Sequence, residues 1–259
     1  MNKIHKTAMV DPAANLGDNV TVGPYSIVNK SVKIGDNTTI GAHCLIDEYT
    51  EIGSSCKIFT GAVVGSVPQD LKFNGEVTNL VIGDNTIIRE YVTINRATKN
   101  GGSITRVGSN VLLMAYAHVA HDCTVEDNAI LANAVTLAGH VHICDHAIIG
   151  GLTPIHQFTR IGRFAFVGGA SRVSQDILPF MRAAGSPLEV IGLNSVGLQR
   201  HGYSDEKLQI LKQVYKIIFR DNLNTSQAIE KLKTTFDTRI TEIKEIIEFI
   251  ETSERGISK

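Results

Sequence analysis

The stretch VGSNVLLMAYAHVAHDCTVEDNAIL, residues 107–131, decides the fold, because every sixth residue in it is Val or Leu. The same spacing continues on both sides of this stretch. Ile, Val or Leu occupies 26 positions at steps of six, in three runs that cover residues 4–64, 82–94 and 107–173. A helix repeats every 3.6 residues and a simple strand every two, so a sustained period of six indicates a repeat architecture of another kind.

Two further positions of the six-residue unit follow a rule. The residue after the aliphatic one is often Gly, as at Gly35 and Gly53, and the fifth residue is small or β-branched, as at Ala117 and Cys123. We expect the aliphatic side chain to point inward, the Gly to permit the corner geometry, and the fifth residue to fit a narrow interior. Three units then make one triangular coil of 18 residues, and the array makes about nine coils of a parallel β-helix. The period leaves the hand of the coil open.

The repeat is interrupted twice and then stops, which predicts the domain organisation. Residues 1–178 are predicted to form the β-helix, with loops extruded at about 66–81 and 99–106. Such insertions lie on the surface of a repeat array and often carry function. Residues 179–259 are predicted to form a connecting segment and a small C-terminal α-helical cap. Helices are expected to start near Ser204 and Thr225, followed by a third that is rich in Ile.

The composition excludes several classes of protein. The chain has 259 residues, 43% of them hydrophobic, and a net charge of −1, so no nucleic acid or anionic membrane is expected to attract the whole molecule. No apolar run is long enough for a transmembrane segment and no signal peptide is visible, which favours a cytoplasmic protein. The cysteines lack CxxC spacing and are expected to be free thiols; they are Cys44, Cys56, Cys123 and Cys144.

Six of the nine histidines lie between residues 118 and 156. Because residues 18 apart stack in neighbouring coils, Asp122 is expected beneath His140 and Gly139 above His121, with His156 one coil further along. An imidazole beside a carboxylate can take a proton from a hydroxyl group. A glycine N–H allows close approach of a developing oxyanion. The alternative is that these outward-facing histidines are polar residues of a subunit interface.

A metal centre is the second chemical hypothesis. Zinc carbonic anhydrases with the same type of β-helix bind the metal through three histidines, two of which are five residues apart. No two histidines of this chain have that spacing. Zinc hydration chemistry is therefore disfavoured, and no metal or other cofactor is predicted.

Several motifs, in order and at near-constant spacing, resemble the UDP-N-acetylglucosamine O-acyltransferase family of hexapeptide-repeat proteins. They are PQDLK at 68–72, IRE at 88–90, TINR at 93–96, HVAHDC at 118–123, LAGH at 137–140, HQF at 156–158 and GLQR at 197–200. The resemblance covers nearly the whole chain. It implies a left-handed coil and a homotrimer with active sites between subunits.

The resemblance also implies a reaction and a role for each matched residue. An (R)-3-hydroxyacyl group would move from acyl carrier protein to the 3-position of UDP-N-acetylglucosamine, the first step of lipid A biosynthesis. His121 would be the general base, Asp122 its orienting partner and Gly139 the oxyanion donor. No cofactor is implied, because the thioester is already activated. Substrate binding would fall to Gln69, Asp70, Lys72, His118, His140, His156, Gln157, Asn194 and Arg200.

The acyl chain is expected to start near Gly139 and to run toward the C-terminal coils. Its groove would be lined by Gly151 and closed near Gly168 and Gly169, whose small size leaves space. Acyl length remains open, and Pro187 stands where relatives can place a chain-measuring histidine.

Three alternatives stay open at this point. Some relatives use a 3-amino sugar and form an amide. The later N-acyltransferase of the pathway has a similar architecture but carries an additional N-terminal uridine-binding domain, whereas this repeat begins at Ile4. A β-helix that served only as a scaffold or binding module would need neither a base nor extruded loops.

Overall fold

The computed structural model describes residues 1–259 and is a left-handed parallel β-helix followed by a helical segment. Its 27 strands, numbered β1–β27 along the chain, form three sheets that are the faces of a triangular prism. The fold class that the six-residue period predicts is therefore confirmed.

Consecutive strands of the coil go to different sheets, so each sheet collects every third strand. The first sheet contains β1 (Lys3–Ile4), β4 (Thr21–Val22), β7 (Thr39–Ile40), β10 (Lys57–Ile58), β13 (Ile87–Ile88), β16 (Leu112–Leu113), β19 (Ile130–Leu131), β22 (Ile148–Ile149), β25 (Phe166–Val167), β26 (Met181–Ala184) and β27 (Glu189–Leu193). The second contains β2 (Met9–Val10), β5 (Ile27–Val28), β8 (Leu45–Ile46), β11 (Val63–Ser66), β14 (Thr93–Asn95), β17 (His118–Val119), β20 (Thr136–Leu137) and β23 (Pro154–Ile155). The third contains β3 (Asn15–Leu16), β6 (Lys33–Ile34), β9 (Thr50–Ile52), β12 (Asn79–Ile82), β15 (Ile104–Val107), β18 (Thr124–Val125), β21 (His142–Ile143) and β24 (Arg160–Ile161).

Three corners join these sheets, and we name each by the sheets that it connects. The 1–2 corner follows each strand of the first sheet, the 2–3 corner each strand of the second, and the 3–1 corner each strand of the third. Strands of successive coils pair in parallel, with a register of 18 residues wherever no loop intervenes, as in Val119 opposite Leu137. In those coils a residue of one corner lies directly over the residue 18 positions earlier, whereas the loops lengthen the register, as in Ile58 opposite Ile88.

The core is the column of aliphatic side chains inside the prism. The repeated position is buried almost completely from the second coil onward, for example at Ile94, Leu131 and Ile143. The small fifth residues, such as Ala117 and Cys123, are also fully buried, which confirms the narrow interior. All four cysteines are free, as predicted.

The corner geometry differs from the prediction. The residue three positions after the aliphatic one takes the left-handed backbone conformation, and it is usually not Gly, as at Asp122 (φ 61°) and His140 (φ 62°). The Gly that directly follows the aliphatic residue has an ordinary φ and serves another purpose. A Cβ atom added to Gly35 would lie 2.6 Å from backbone atoms of Gly53 and Ser54 in the next coil. The prediction that these glycines permit the turn is therefore wrong, because their role is to let adjacent coils approach.

The first extruded loop is shorter than predicted, and the second lies three residues earlier in the chain. Residues 67–78 connect β11 to β12, and residues 96–103 connect β14 to β15. The predicted ends at 81 and 106 belong instead to β12 and β15, which pair with each other from Asn79–Ile104 to Ile82–Val107. This pairing extends both strands toward the loops.

The segment after residue 178 begins with two more strands rather than with irregular chain. Strand β26 pairs in parallel with β25, and β27 pairs antiparallel with β26, so the first sheet continues past the end of the repeat. Four helices follow, namely α1 (Ser195–Arg200), α2 (Asp205–Phe219), α3 (Thr225–Thr235) and α4 (Thr241–Glu251). Ser204 caps α2 as expected, whereas Asn224 rather than Thr225 caps α3, and α1 is absent from the prediction.

The helical segment is fixed to the last coils by charged side chains. Arg160 donates to the Phe249 carbonyl oxygen at 2.6 Å and to Asp176, and Arg163 pairs with Glu245 at 2.7 Å. No helix of the chain combines the length and the apolar character needed to cross a bilayer.

Candidate active site

A histidine–aspartate pair lies at the 2–3 corner directly after β17. His121 Nδ1 is 2.7 Å from Asp122 Oδ2, and the side chains are 15% and 0% exposed. A carboxylate only accepts hydrogen bonds, so Nδ1 carries the proton of the neutral ring and Nε2 keeps its lone pair. Nε2 has no hydrogen-bond partner within the chain. The pair therefore presents an oriented base.

The second loop holds the Asp122 carboxylate in place. The Thr98 backbone N–H donates to Oδ1 at 3.0 Å, and the Thr98 hydroxyl donates to Oδ2 at 2.7 Å. Thr105 accepts from the Asp122 backbone N–H at 2.9 Å. A side chain at Gly101 would overlap the carboxylate, so the loop folds closely over it. Sequence reasoning missed Thr98, because the predicted second loop begins at residue 99, whereas the loop in the structure begins at residue 96.

Gly139 lies over His121 in the next coil, as predicted. A Cβ atom at Gly139 would be 2.5 Å from His121 Cε1 and 2.8 Å from Nε2, so only glycine leaves room for the ring. The Gly139 N–H donates no hydrogen bond within the chain. A free N–H therefore lies next to the free imidazole nitrogen. His156 and Gln157 follow one coil further along and are exposed.

His140 lies over Asp122 and completes the corner. Its Nε2 is 3.7 Å from Asp122 Oδ2, and its ring stacks on Phe158 with centroids 4.5 Å apart. Burial lowers the pKa of His140, and repulsion from protonated His121 adds to the effect, while Asp122 and Asp70 oppose it. The neutral imidazole of His140 is thus favoured, and it can donate or accept a hydrogen bond.

His118 stands beside this corner on the outer surface of the second sheet. Its Nδ1 is 2.7 Å from the Thr93 hydroxyl oxygen. Burial lowers the pKa of His118, and the neighbouring His121 adds a smaller repulsion. His118 is therefore also favoured in the neutral form.

The first loop carries three of the predicted substrate-binding residues, Gln69, Asp70 and Lys72. Asp70 Oδ1 accepts the Lys72 backbone N–H at 2.9 Å, and the Asp70 charge reaches His140. The side chains of Lys72 and Gln69 are exposed. Only Asp70 is thereby linked to His140, and the grouping of Gln69 and Lys72 with the histidines stays a prediction.

Arg96, which sequence reasoning did not single out as a site residue, links the two loops. It is 8% exposed, and its guanidinium carbon lies 5.5 Å from the Tyr49 ring centroid and 5.6 Å from that of Phe73 in the first loop. Its Nε has no hydrogen-bond partner. The cation therefore interacts mainly with aromatic rings, which anchor the first loop.

Two groups of predicted residues do not lie at the 2–3 corner. Asn194 caps α1, accepting the Gly197 N–H at 3.2 Å and donating to the Phe164 carbonyl oxygen at 2.9 Å, which places it at the 3–1 corner. Arg200 ends the same helix and is exposed. Within one chain, Asn194 and Arg200 therefore lie away from the corner that carries the histidine–aspartate pair.

The three predicted groove residues lie at the remaining corner. Gly151, Gly168 and Gly169 follow β22 and β25 of the first sheet and belong to the 1–2 corner. A groove that rose along one corner from Gly139 would meet position 157 after 18 residues and would not reach them. Gly139 and these glycines lie at different corners of one chain, so the groove that would join them stays a prediction for the trimer.

Comparisons with known proteins identify the family of the chain. Residues 176–258 match the family model of UDP N-acetylglucosamine O-acyltransferase, domain 2, and residues 13–48 and 104–139 match that of the bacterial transferase hexapeptide. The acyl-(acyl-carrier-protein)–UDP-N-acetylglucosamine O-acyltransferase of Herminiimonas arsenicoxydans is 51% identical over 260 residues, covering 99% of each chain. Its namesake from Aliarcobacter butzleri is 49% identical over 257 residues, covering 99% of this chain and 98% of the relative.

Solved structures give the same result. The UDP-N-acetylglucosamine O-acyltransferase of Moraxella catarrhalis superposes with a TM-score of 0.96 at 41% identity, covering 99% of each chain. The UDP-N-acetylglucosamine acyltransferase of Arabidopsis superposes with a TM-score of 0.86 at 34% identity, covering 99% of this chain and all of the other. The likeness therefore extends over the β-helix and the helical segment together.

Proposed function

The chain belongs to the UDP-N-acetylglucosamine O-acyltransferase family, and from this membership we propose that it transfers an acyl group from acyl carrier protein to UDP-N-acetylglucosamine. The observation that carries the proposal is the His121–Asp122 pair beneath the free N–H of Gly139. This reaction is the first step of lipid A biosynthesis, and we place the enzyme in the cytoplasm.

The base and the oxyanion donor account for the chemistry. His121 Nε2 takes the proton of the sugar 3-hydroxyl as its oxygen attacks the thioester carbonyl carbon. The carbonyl oxygen gains negative charge, which the Gly139 N–H stabilises. The C–O bond forms, the C–S bond breaks, and the proton on His121 passes to the departing thiol. Asp122 keeps the proton of the resting imidazole on Nδ1 and stabilises the transient imidazolium.

The acceptor is held by neutral and charged groups around this centre. His118 and His140, both with lowered pKa values, would hydrogen-bond the UDP-sugar without adding positive charge. Lys72 from the first loop supplies a cation for the diphosphate, and Asp70, Gln69, His156 and Gln157 supply further polar contacts. We assign the acyl donor as an (R)-3-hydroxyacyl thioester of the carrier protein.

A homotrimer would bring the scattered residues together. Four apolar side chains on the 1–2 corner are at least half exposed, namely Tyr25, Tyr91, Tyr116 and Leu152. Burying this stripe along a threefold axis would place the second sheet of one chain against the first sheet of the next. The 2–3 corner with His121 would then lie beside the neighbour's 3–1 corner, which carries Asn194 and Arg200. Light scattering should accordingly give three times 28.1 kDa.

The same packing gives the acyl chain a path. A cleft between the second sheet of one chain and the first sheet of its neighbour would lead from Gly139 toward the axis. Gly151, Gly168 and Gly169 lie at the 1–2 corner, where that cleft would end. The groove would therefore run across the second sheet from the 2–3 corner to the 1–2 corner, and it would also advance toward the C-terminal coils.

The other enzymatic alternatives receive no support from the relatives, whose names specify an O-acyltransferase acting on UDP-N-acetylglucosamine. Direct assay is the test. Purified enzyme should acylate UDP-N-acetylglucosamine with a 3-hydroxyacyl carrier-protein thioester, and His121→Ala should reduce turnover about a hundredfold or more while remaining folded. Retention of most activity by folded His121→Ala would reject the base.

The same assay distinguishes metal chemistry. The ligand atoms of His121, Asp122 and His140 lie within 4.8 Å of one another, a spacing that a metal ion could bridge. In the proposed mechanism no metal takes part, so turnover should be unchanged by EDTA. Loss of turnover in EDTA that zinc restores, with the zinc bound by the His121–Asp122–His140 cluster, would replace the acid–base mechanism with a metal-assisted one.

A further inference from the structure

The 3–1 corner contains a column of glycines that is interrupted in two adjacent coils. In eight coils the residue after a third-sheet strand occupies the same place, and six of the eight are Gly17, Gly35, Gly53, Gly83, Gly108 and Gly162. A Cβ atom at each of these six would come within 2.9 Å of the next layer of backbone. The two exceptions are Glu126 and Cys144, which stack on each other. The chain therefore places a carboxylate and a thiol where the corner otherwise excludes side chains.

A histidine joins these two residues. His142 Nε2 is 2.6 Å from Glu126 Oε1, and the ligand atoms of Glu126, His142 and Cys144 all lie within 4.8 Å of one another. The other carboxylate oxygen, Oε2, accepts the Asp145 backbone N–H at 2.9 Å, which fixes the orientation of Glu126. One oxygen, one nitrogen and one sulfur therefore converge at a single point.

The surroundings favour a cation. The Cys144 thiol lies near the carboxylates of Glu126, Glu245 and Asp145, and the Arg160 guanidinium offsets part of their negative charge. The cluster is also accessible. Glu126 and His142 are about 40% exposed, and Glu126 borders an open groove of about 570 Å³ on the third sheet.

We propose that Glu126, His142 and Cys144 form a zinc-binding site at the 3–1 corner. Carboxylate oxygen, imidazole nitrogen and thiolate sulfur are the ligands that Zn²⁺ takes in proteins, and water would complete the tetrahedron. Glu126 comes from one coil and the other two ligands from the next, so the ion would join adjacent coils. The site does not depend on the acyl transfer proposed for the 2–3 corner.

Cobalt(II) is the probe, because it replaces zinc and reports its ligands by absorption. The full-length protein should bind one Co²⁺ per chain with a thiolate-to-cobalt charge-transfer band that zinc abolishes. Cys144→Gly, which restores the residue usual at this place in the column, should remove the band and weaken zinc binding roughly tenfold or more. His142→Ala should weaken binding but retain sulfur coordination.

Two control variants locate the ion. Cys44→Ser removes a buried thiol of another corner and should leave the band unchanged. His140→Ala alters the His121–Asp122–His140 cluster, which contains no thiol, and should also leave the band unchanged. The proposal is overturned if no thiolate band appears, if the band survives in Cys144→Gly, or if it disappears in His140→Ala. Circular dichroism of each variant confirms that the β-helix is intact.

Discussion

Asp122 is the residue on which the geometry of the candidate site depends. Its buried carboxylate accepts three hydrogen bonds, from His121 and from the backbone and hydroxyl of Thr98. It also lies 3.7 Å from His140. A single carboxylate therefore connects the proposed base, the second loop and a second imidazole.

Asp122→Asn should keep this shape but change the tautomer of His121. The amide group would donate to Nδ1, which moves the imidazole proton to Nε2 and removes the base. We expect kcat to fall by about two to four orders of magnitude. Initial rates with the carrier-protein thioester measure it, and Asp127→Asn at the 3–1 corner is the control. Near-normal turnover in Asp122→Asn would mean that Asp122 does not orient the base.

His118 should couple stability to pH. Its pKa is lowered by burial and by His121, so the folded chain binds the proton less tightly than the unfolded chain. The unfolded chain takes up the proton as pH falls below about 6.5, and the free energy of unfolding then decreases. His118→Asn should weaken this decrease between pH 7 and pH 5. Urea denaturation at several pH values measures it, and an unchanged slope would contradict the expectation.

At the scale of elements, the period of 18 predicts the site residues that belong to the repeat but not those that lie in the loops. His121, Gly139 and His140 were correctly stacked because they belong to the repeat, where spacing determines position. Thr98 and Arg96 lie in loops that have no period, so nothing in the sequence indicated their partners. The glycine column was visible, but its purpose depends on the distance between coils, which the pattern does not contain.

Gly35→Ala tests the purpose of that column. The added methyl group would lie 2.6 Å from the backbone of Gly53 and Ser54, which have no room to move within a paired sheet. We expect a loss of about 1–3 kcal/mol in the free energy of unfolding. Gly169→Ala, where the nearest atom is 3.2 Å away, is the matched control and should change stability much less. Equal stabilities of the two variants in urea would refute the close-approach argument.

Arg96→Met tests the connection between the two loops. Methionine retains apolar volume but loses the attraction to the Tyr49 and Phe73 rings, each of which contributes about 0.5–2 kcal/mol. The first loop should become more mobile, which raises KM for the UDP-sugar more than it lowers kcat. Steady-state kinetics and faster proteolysis near Lys72 measure this. Arg220→Met removes a similar contact with Tyr215 in the helical segment and should change neither.

At the scale of the whole molecule, the residues of the resemblance form one site only if several chains assemble. His121, Asn194 and Gly169 lie at three different corners of the prism. The period predicts which coil a residue occupies, and the position of the residue within the coil predicts its corner. It does not predict which corners of two molecules meet. That information lies in the exposed stripe of Tyr25, Tyr91, Tyr116 and Leu152, whose pattern becomes evident once the coil is built.

Acyl length tests this arrangement most directly. In the proposed trimer the cleft ends at the 1–2 corner, where Gly169 is exposed and has an ordinary backbone conformation, and where an added Cβ would lie 3.2 Å from the Gly151 carbonyl oxygen. A methionine there would fill about one coil rise, roughly 4.8 Å, or about four methylene groups. Each excluded methylene costs about 0.8 kcal/mol, roughly fourfold in affinity. Gly169→Met should therefore prefer acyl chains about four carbons shorter.

Competition between carrier-protein thioesters of different length, read by mass spectrometry of the products, measures this preference. Lys33→Met in the third sheet is the control, because Lys33 is exposed and lies on a face that the proposed trimer leaves free. A folded, trimeric and active Gly169→Met enzyme with an unchanged length profile would show that the acyl chain does not reach the 1–2 corner. The second sheet of one protomer would then not lead the acyl chain toward the threefold axis. The three prisms would have to pack through a pair of sheets other than the first and the second.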